Sequence, residues 1–158
     1  MTFRFATEAD VPLILQFIRN LAAYEKLLDQ VVADEALLRR QLFEKQQAEV
    51  IFAMENGKEV GFALFFHNFS TFLGRSGLYL EDLFVLPEHR GKGYGKGLLA
   101  KLASIAVERG YGRMEWSCLD WNRPSIEFYR SLGADPMDEW TVYRLTGETL
   151  ERMAKAAE

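Results

Sequence analysis

Residues 90–97 read Arg90-Gly91-Lys92-Gly93-Tyr94-Gly95-Lys96-Gly97, four glycines in eight positions with three cations among them. The stretch follows a strand-like run from Leu78 to Val85 and Pro87. It precedes Leu98, Leu99, Leu102, Ile105, Ala106 and Val107, which read as a long amphipathic helix. A glycine bend between a strand and a helix can turn its backbone N–H groups and the helix N-terminus toward one anion. Glycine permits positive φ and close approach, and the unsatisfied first-turn donors supply partial positive charge. The bend therefore suits a diphosphate, with Arg90, Lys92 and Lys96 adding full charges.

Two commoner phosphate motifs fit poorly. A Walker loop needs glycine five residues before Gly95 and a hydroxyl residue after Lys96, but Arg90 and Gly97 stand there. Gly95-Lys96-Gly97-Leu98-Leu99-Ala100 matches the loose dinucleotide fingerprint, and Glu115 lies at about the distance of a ribose carboxylate. The strand ends several residues too early for that motif's tight turn, and repeated parallel units are missing. A nicotinamide-dependent oxidoreductase stays as the weaker alternative.

The rest of the chain reads as one α/β domain over residues 1–158. Phe3 and Phe5 alternate with polar neighbours as in a short strand, and Thr7-Glu8-Ala9-Asp10 reads as a capping box. Leu13, Ile14, Phe17, Ile18 and Leu21 mark a first helix, and Asp34 caps a second that carries Leu37, Leu38 and Leu42. Two strands flank Asn56-Gly57, the strongest short hairpin signal. Met114, Trp116 and Cys118 alternate in a further strand; Asn122-Arg123-Pro124 opens a helix that Gly133 ends; residues 140–145 read as a last strand before a short terminal helix. The expected order is strand, two helices, a three-strand meander, then helix, strand, helix and strand.

Composition limits function. Twelve Phe, six Tyr and three Trp in 158 residues can fill a core without disulfide or metal. The single Cys118 in an apolar run fits a small buried hydrophobe in a reducing compartment. Two histidines, His67 and His89, without aligned carboxylates make no metal site. No apolar run approaches the ~20 residues of a membrane span, and residues 1–10 carry no basic start and apolar run of a signal peptide, so the cytoplasm is expected. A net charge of −4 argues against nucleic acid and would steer a cation favourably.

At this point the chain resembles the GNAT acetyltransferase superfamily, whose Arg/Gln-x-x-Gly-x-Gly/Ala signature is met from Arg90 to Gly95. Leu21-Ala22-Ala23-Tyr24-Glu25, Tyr79-Leu80-Glu81-Asp82-Leu83-Phe84-Val85, Trp121-Asn122-Arg123-Pro124-Ser125-Ile126-Glu127-Phe128-Tyr129 and Gly133-Ala134 look like the diamine (spermidine/spermine) acetyltransferases in the same order. The resemblance implies a mixed, mostly antiparallel sheet flanked by helices and splayed so that acetyl-CoA enters between the fourth and fifth strands, in a homodimer. It implies that the backbone of Leu83, Phe84 and Val85 pairs with pantetheine. Arg90, Gly91, Lys92, Gly93, Tyr94, Gly95 and Lys96 would hold the pyrophosphate. The Asn122, Arg123, Pro124 and Ser125 segment would contact the far side of the cofactor.

The chemistry implied is attack by an amine on the thioester. An alkylammonium, with a reference pKa of about 10.4, must first lose a proton. Strand alternation puts Glu81 and Asp82 on opposite faces, and parity places Glu81 with Val85. Glu81 is then either the proton acceptor or only a partner of the substrate cation. Tyr129 occupies the family's general-acid position, from which a phenol can protonate the departing thiolate. By resemblance, Tyr24, Glu25, Glu115, Trp116, Ser117 and Glu139 lie around the amine, where carboxylates and aromatic faces attract ammonium groups. The 134–140 segment is shorter than in the polyamine enzymes, which leaves other diamines and amino-acid-like amines open. A non-catalytic module that binds acyl-CoA or amine is the alternative of another class.

Overall fold

The computed structural model describes residues 1–157 and divides into two compact units, Met1–Leu119 and Asp120–Glu158. The first unit holds strands β1 (Thr2–Phe5), β2 (Glu49–Glu55), β3 (Lys58–Ser70), β4 (Arg75–Val85) and β5 (Met114–Trp116) in one sheet, in chain order. All neighbours are antiparallel except β4 and β5, which pair in parallel across the helix α3 (Tyr94–Glu108). Helix α1 (Val11–Tyr24) lies in the connection from β1 to β2, and α2 (Glu35–Leu38), in the same connection, runs on as a π-helical stretch, Arg39–Glu44.

Local signals account for most of these bounds. The Thr7 N–H donates to the Asp10 carboxylate at 2.7 Å and the Asp10 N–H to the Thr7 carbonyl at 2.9 Å, the expected capping geometry ahead of α1. The Asp34 carboxylate accepts from the Leu37 N–H at 2.8 Å and starts α2. Asn56 and Gly57 have φ of +51° and +78°, as the two-residue turn between β2 and β3 demands. Ile14, Phe17, Leu42, Val50, Phe52, Phe62 and Phe84 form one buried cluster between α1 and the sheet, with the Phe17 and Phe62 rings 5.1 Å apart. Leu98, Leu99, Leu102, Ile105 and Ala106 bury the inner face of α3, as their spacing predicts. Val107 instead is 78% exposed, because the 3.6-residue period carries it past the apolar stripe.

The second unit contains α4 (Arg123–Ser131) and α5 (Gly147–Lys155). Asn122 caps α4 by accepting from the Ser125 N–H at 3.4 Å, and Gly133 ends it with φ of +87°. The last strand expected over residues 140–145 does not form. Trp140, Val142 and Tyr143 are 80%, 80% and 93% exposed, and no described strand pairs with them. Strand-like composition yields a strand only when another edge supplies the ladder.

Candidate active site

The sheet opens where the parallel pairing stops. β5 meets β4 only at Leu78↔Met114, Tyr79↔Glu115 and Leu80↔Trp116, whereas β4 continues five residues further along β3 to Val85. The Leu86 N–H bonds the Val60 carbonyl at 2.9 Å, so alternation turns the N–H and C=O groups of Leu83 and Val85 to the edge that β5 has left. Phe84, by the same alternation, gives its backbone to β3 and its ring to the core.

At this opening β4 carries a bulge. Leu80 pairs with Phe65 and Asp82 with Leu64, leaving Glu81 as the extra residue between them. The simple parity that separates Glu81 from Asp82 is therefore interrupted. Register puts Asp82 on the face of Phe84, Phe62 and Phe52, the face that α1 covers. Glu25 stands there as the C-cap of α1. Burial, then the charges of Glu81 and Glu25, push the Asp82 carboxyl up to about 7. Burial and the Glu81 charge raise Glu25 as well. Asp82 thus feels the charges of both other carboxylates, whereas strand parity in the sequence sets it apart from Glu81. Its signal was an acidic pair inside an otherwise apolar strand, a placement that burial makes costly.

Tyr24 closes the same corner, its ring 6.4 Å from that of Phe84. The Arg90 guanidinium lies 5.2 Å over the Tyr24 ring and 5.0 Å over Phe84, and its Nε donates to the Val85 carbonyl at 3.0 Å. The Arg90 side chain is thus engaged within the protein.

The bend that follows has φ of +77° at Gly91 and +87° at Gly93, the latter being the N-cap of α3. A β-carbon at Gly91 or Gly95 would meet no atom within 4 Å, so this side of the bend is open. Tyr94 and Lys96 stand in the first turn of α3. Gly95 and Gly97 lie inside that helix, which removes the tight turn required by the dinucleotide fingerprint. A family model described as "Acetyltransferase (GNAT) family" matches residues 16–134, from within α1 to just beyond α4.

The chain belongs to the GNAT acetyltransferase family. Thialysine N-epsilon-acetyltransferase of Bos taurus is 37% identical, over 96% of this chain and 95% of that protein. L-ornithine N5-acetyltransferase of Arabidopsis thaliana is 33% identical over 96% of this chain and 87% of its own length. An integron cassette protein from the mobile metagenome of V. cholerae has a similar solved structure, with a TM-score of 0.80 and 31% identity, covering 98% of this chain and 97% of that one. The chain is accordingly an N-acetyltransferase with the GNAT architecture expected from its sequence.

Other expected residues of this GNAT protein fall in varied settings. Glu115 pairs with Arg113 at 3.2 Å, and Ser117 shares a hydrogen bond of 2.9 Å with the Tyr79 hydroxyl across the end of β5. Trp116, between them, is half-buried. In the second unit Asn122 is buried, Arg123 and Pro124 are exposed in the first turn of α4, and Ser125 and Tyr129 are half-buried. The rings of Tyr129 and Phe128 are 5.7 Å apart. Arg123 also lines a concavity of about 350 Å³ with Trp121, Ile126 and Arg130. Glu139 is exposed in a turn. Cys118 is half-buried, and its thiol donates to the Leu119 carbonyl at 3.5 Å. Among the described residues no group of three or more His, Cys, Asp or Glu is arranged for a metal, and no helix is long and apolar enough to cross a membrane.

Proposed function

We propose that this GNAT enzyme transfers acetyl from acetyl-CoA to a primary amine of a small cationic molecule, by direct attack while both substrates are bound. The observation that carries the reading is the β4 bulge that sets Glu81 and Asp82 just past the last β4–β5 pair, within reach of the charge of Glu25 at the end of α1. A cation relieves repulsion among three carboxylates, so the site selects an ammonium group over an anion or a neutral hydroxyl. The names of the bovine and Arabidopsis relatives, which specify amine acetylation on an amino-acid side chain, support the same substrate class.

The open bend with Gly91 and Gly93 at positive φ fits a diphosphate, held by backbone N–H groups from Gly91 to Lys96 and by the charges of Lys92 and Lys96. The Arg90 side chain, stacked on Tyr24 and Phe84, would brace the start of the bend. The outward backbone groups of Leu83 and the Val85 N–H would pair with the pantetheine arm, and the Asn122 and Ser125 segment would hold its far side. Acetyl-CoA supplies the activated acyl carbon. Asp82 and Glu25 hold the ammonium while it passes one proton, directly or through water, to Glu81. The neutral amine nitrogen then forms the new C–N bond and gives up its second proton through water, replacing the one that Tyr129 donates. The C–S bond breaks, and Tyr129 protonates the leaving thiolate. Residues 1–158 act as one GNAT domain in this reading, as the family match across both units supports. A second copy would cover the exposed Trp140, Val142 and Tyr143 in a homodimer.

The test is release of CoA from acetyl-CoA with a panel of diamines, polyamines and basic amino acids. Turnover with at least one cationic amine, and none with hydroxyl analogues, is expected. Acetyl-CoA binding without turnover on any amine would favour a sensor module instead.

A further inference from the structure

We propose that Glu55 is a positioning residue that staples the two flanks of the glycine bend and thereby sets the enzyme's affinity for its acyl donor; the proposal rests on the bend being the diphosphate cradle. Glu55 is the last residue of β2, directly before the Asn56-Gly57 turn, and its backbone is fixed by pairing with Lys58. Its Oε1 accepts from the Tyr94 hydroxyl at 2.9 Å and from Lys92 Nζ at 3.3 Å. Its Oε2 lies 2.7 Å from His89 Nδ1.

Those partners stand before, within and after the two residues of positive φ, Gly91 and Gly93. A segment with that glycine content loses more backbone entropy on ordering than any other, and a cradle is useful only while its N–H groups converge. A single carboxylate held by a strand and touching positions 89, 92 and 94 removes much of that freedom before the ligand arrives, which is preorganisation. The hydrogen bond from Tyr94, with help from Lys92 and His89, holds the Glu55 carboxyl below the usual carboxylate range, so the staple is ionised at neutral pH. Tyr94 is itself buried to 9% exposure, which fixes the far flank in the packing of α3.

The experiment measures CoA affinity by calorimetry, and KM and kcat with acetyl-CoA and with S-acetylpantetheine, a donor lacking the diphosphate. Glu55→Ala is expected to weaken CoA binding and raise the acetyl-CoA KM roughly tenfold, with kcat changed by less than about twofold and the acetylpantetheine KM unmoved. Glu55→Gln keeps an acceptor for Tyr94 and should lose only about two- to threefold. It also keeps the proposal testable if Glu55→Ala does not fold. Unchanged or tighter CoA binding in both variants, or an equal KM rise with both donors, overturns the proposal. Gly93→Val is the control for the cradle. If it separates the two donors while Glu55→Ala does not, the staple alone falls; if it does not separate them, the cradle reading falls and the staple with it.

Discussion

Asp82 is the residue whose environment most exceeds its sequence. Its folded pKa of about 7 lies above the ordinary 3.8, so the native chain holds that proton more tightly than the unfolded chain. Stability from this source is full at low pH and is lost as pH rises toward 7. Asp82→Asn should therefore raise Tm at pH 8, by about 2–4 °C for each kcal/mol of repulsion relieved, while leaving melts at pH 5 nearly unchanged. The same substitution should raise the amine KM and abolish its fall as pH rises through 7, where wild-type Asp82 gains the charge that attracts the ammonium. A wild-type amine KM flat from pH 6 to 8 would contradict this assignment. For Glu81→Gln the expected activity defect shrinks toward high pH, where free amine is already neutral; a defect independent of pH would make Glu81 a cation partner only. Tyr129→Phe should lower kcat about a hundredfold or more with acetyl-CoA affinity kept, the pattern of a lost general acid. Parallel loss of both would remove that role.

Among the elements, β1 and the start of α1 depend on one network. Arg4 donates to both Asp10 oxygens at 2.8 Å and to Glu59 at 2.7 Å, tying the edge strand to the helix start and to β3. The hydrogen bonds from Arg4, with those from Thr7, hold the Asp10 carboxyl down to about 2. A depressed carboxylate contributes stability above its unfolded value and loses it as pH falls through the folded one. Asp10→Ala should cost roughly 1–2 kcal/mol at pH 7, through the lost cap and ion pair, with the gap to wild type closing between about pH 4 and pH 2. Thermal melts across that range read the outcome directly. The β4–β5 junction is tight for another reason: a β-carbon at Gly77 would lie 3.2 Å from the Arg113 carbonyl, which accepts the Leu78 N–H and begins the short parallel ladder.

For the whole molecule, ligand linkage gives the cleanest check. Acetyl-CoA at about a hundred times its Kd should stabilise the native chain by roughly 2.7 kcal/mol, or about 5–10 °C in Tm, whereas NAD should not shift it. Stabilisation by NAD alone would reverse the choice of cofactor. Light scattering should return twice the 18.2 kDa chain mass if a second copy covers the exposed apolar side chains of residues 140–145. A monomer at micromolar concentration would refute the dimer.

Residues close in the chain encode whatever depends on local spacing. The Asn56-Gly57 turn, the caps at Asp34 and Asn122, the buried faces of α1 and α3, the glycine bend and the order of family blocks all depend on spacings of a few residues. Packing between distant segments sets the bulge at Glu81, the influence of Glu25 on Asp82, the commitment of Arg90 to Tyr24 and Phe84, and the reach of Glu55 to the bend. The missing strand over 140–145 belongs with these, since its composition promised a ladder that no described neighbour supplies. These features depend on which elements pack together, and one extra residue in β4 is enough to reset which side chains share a face.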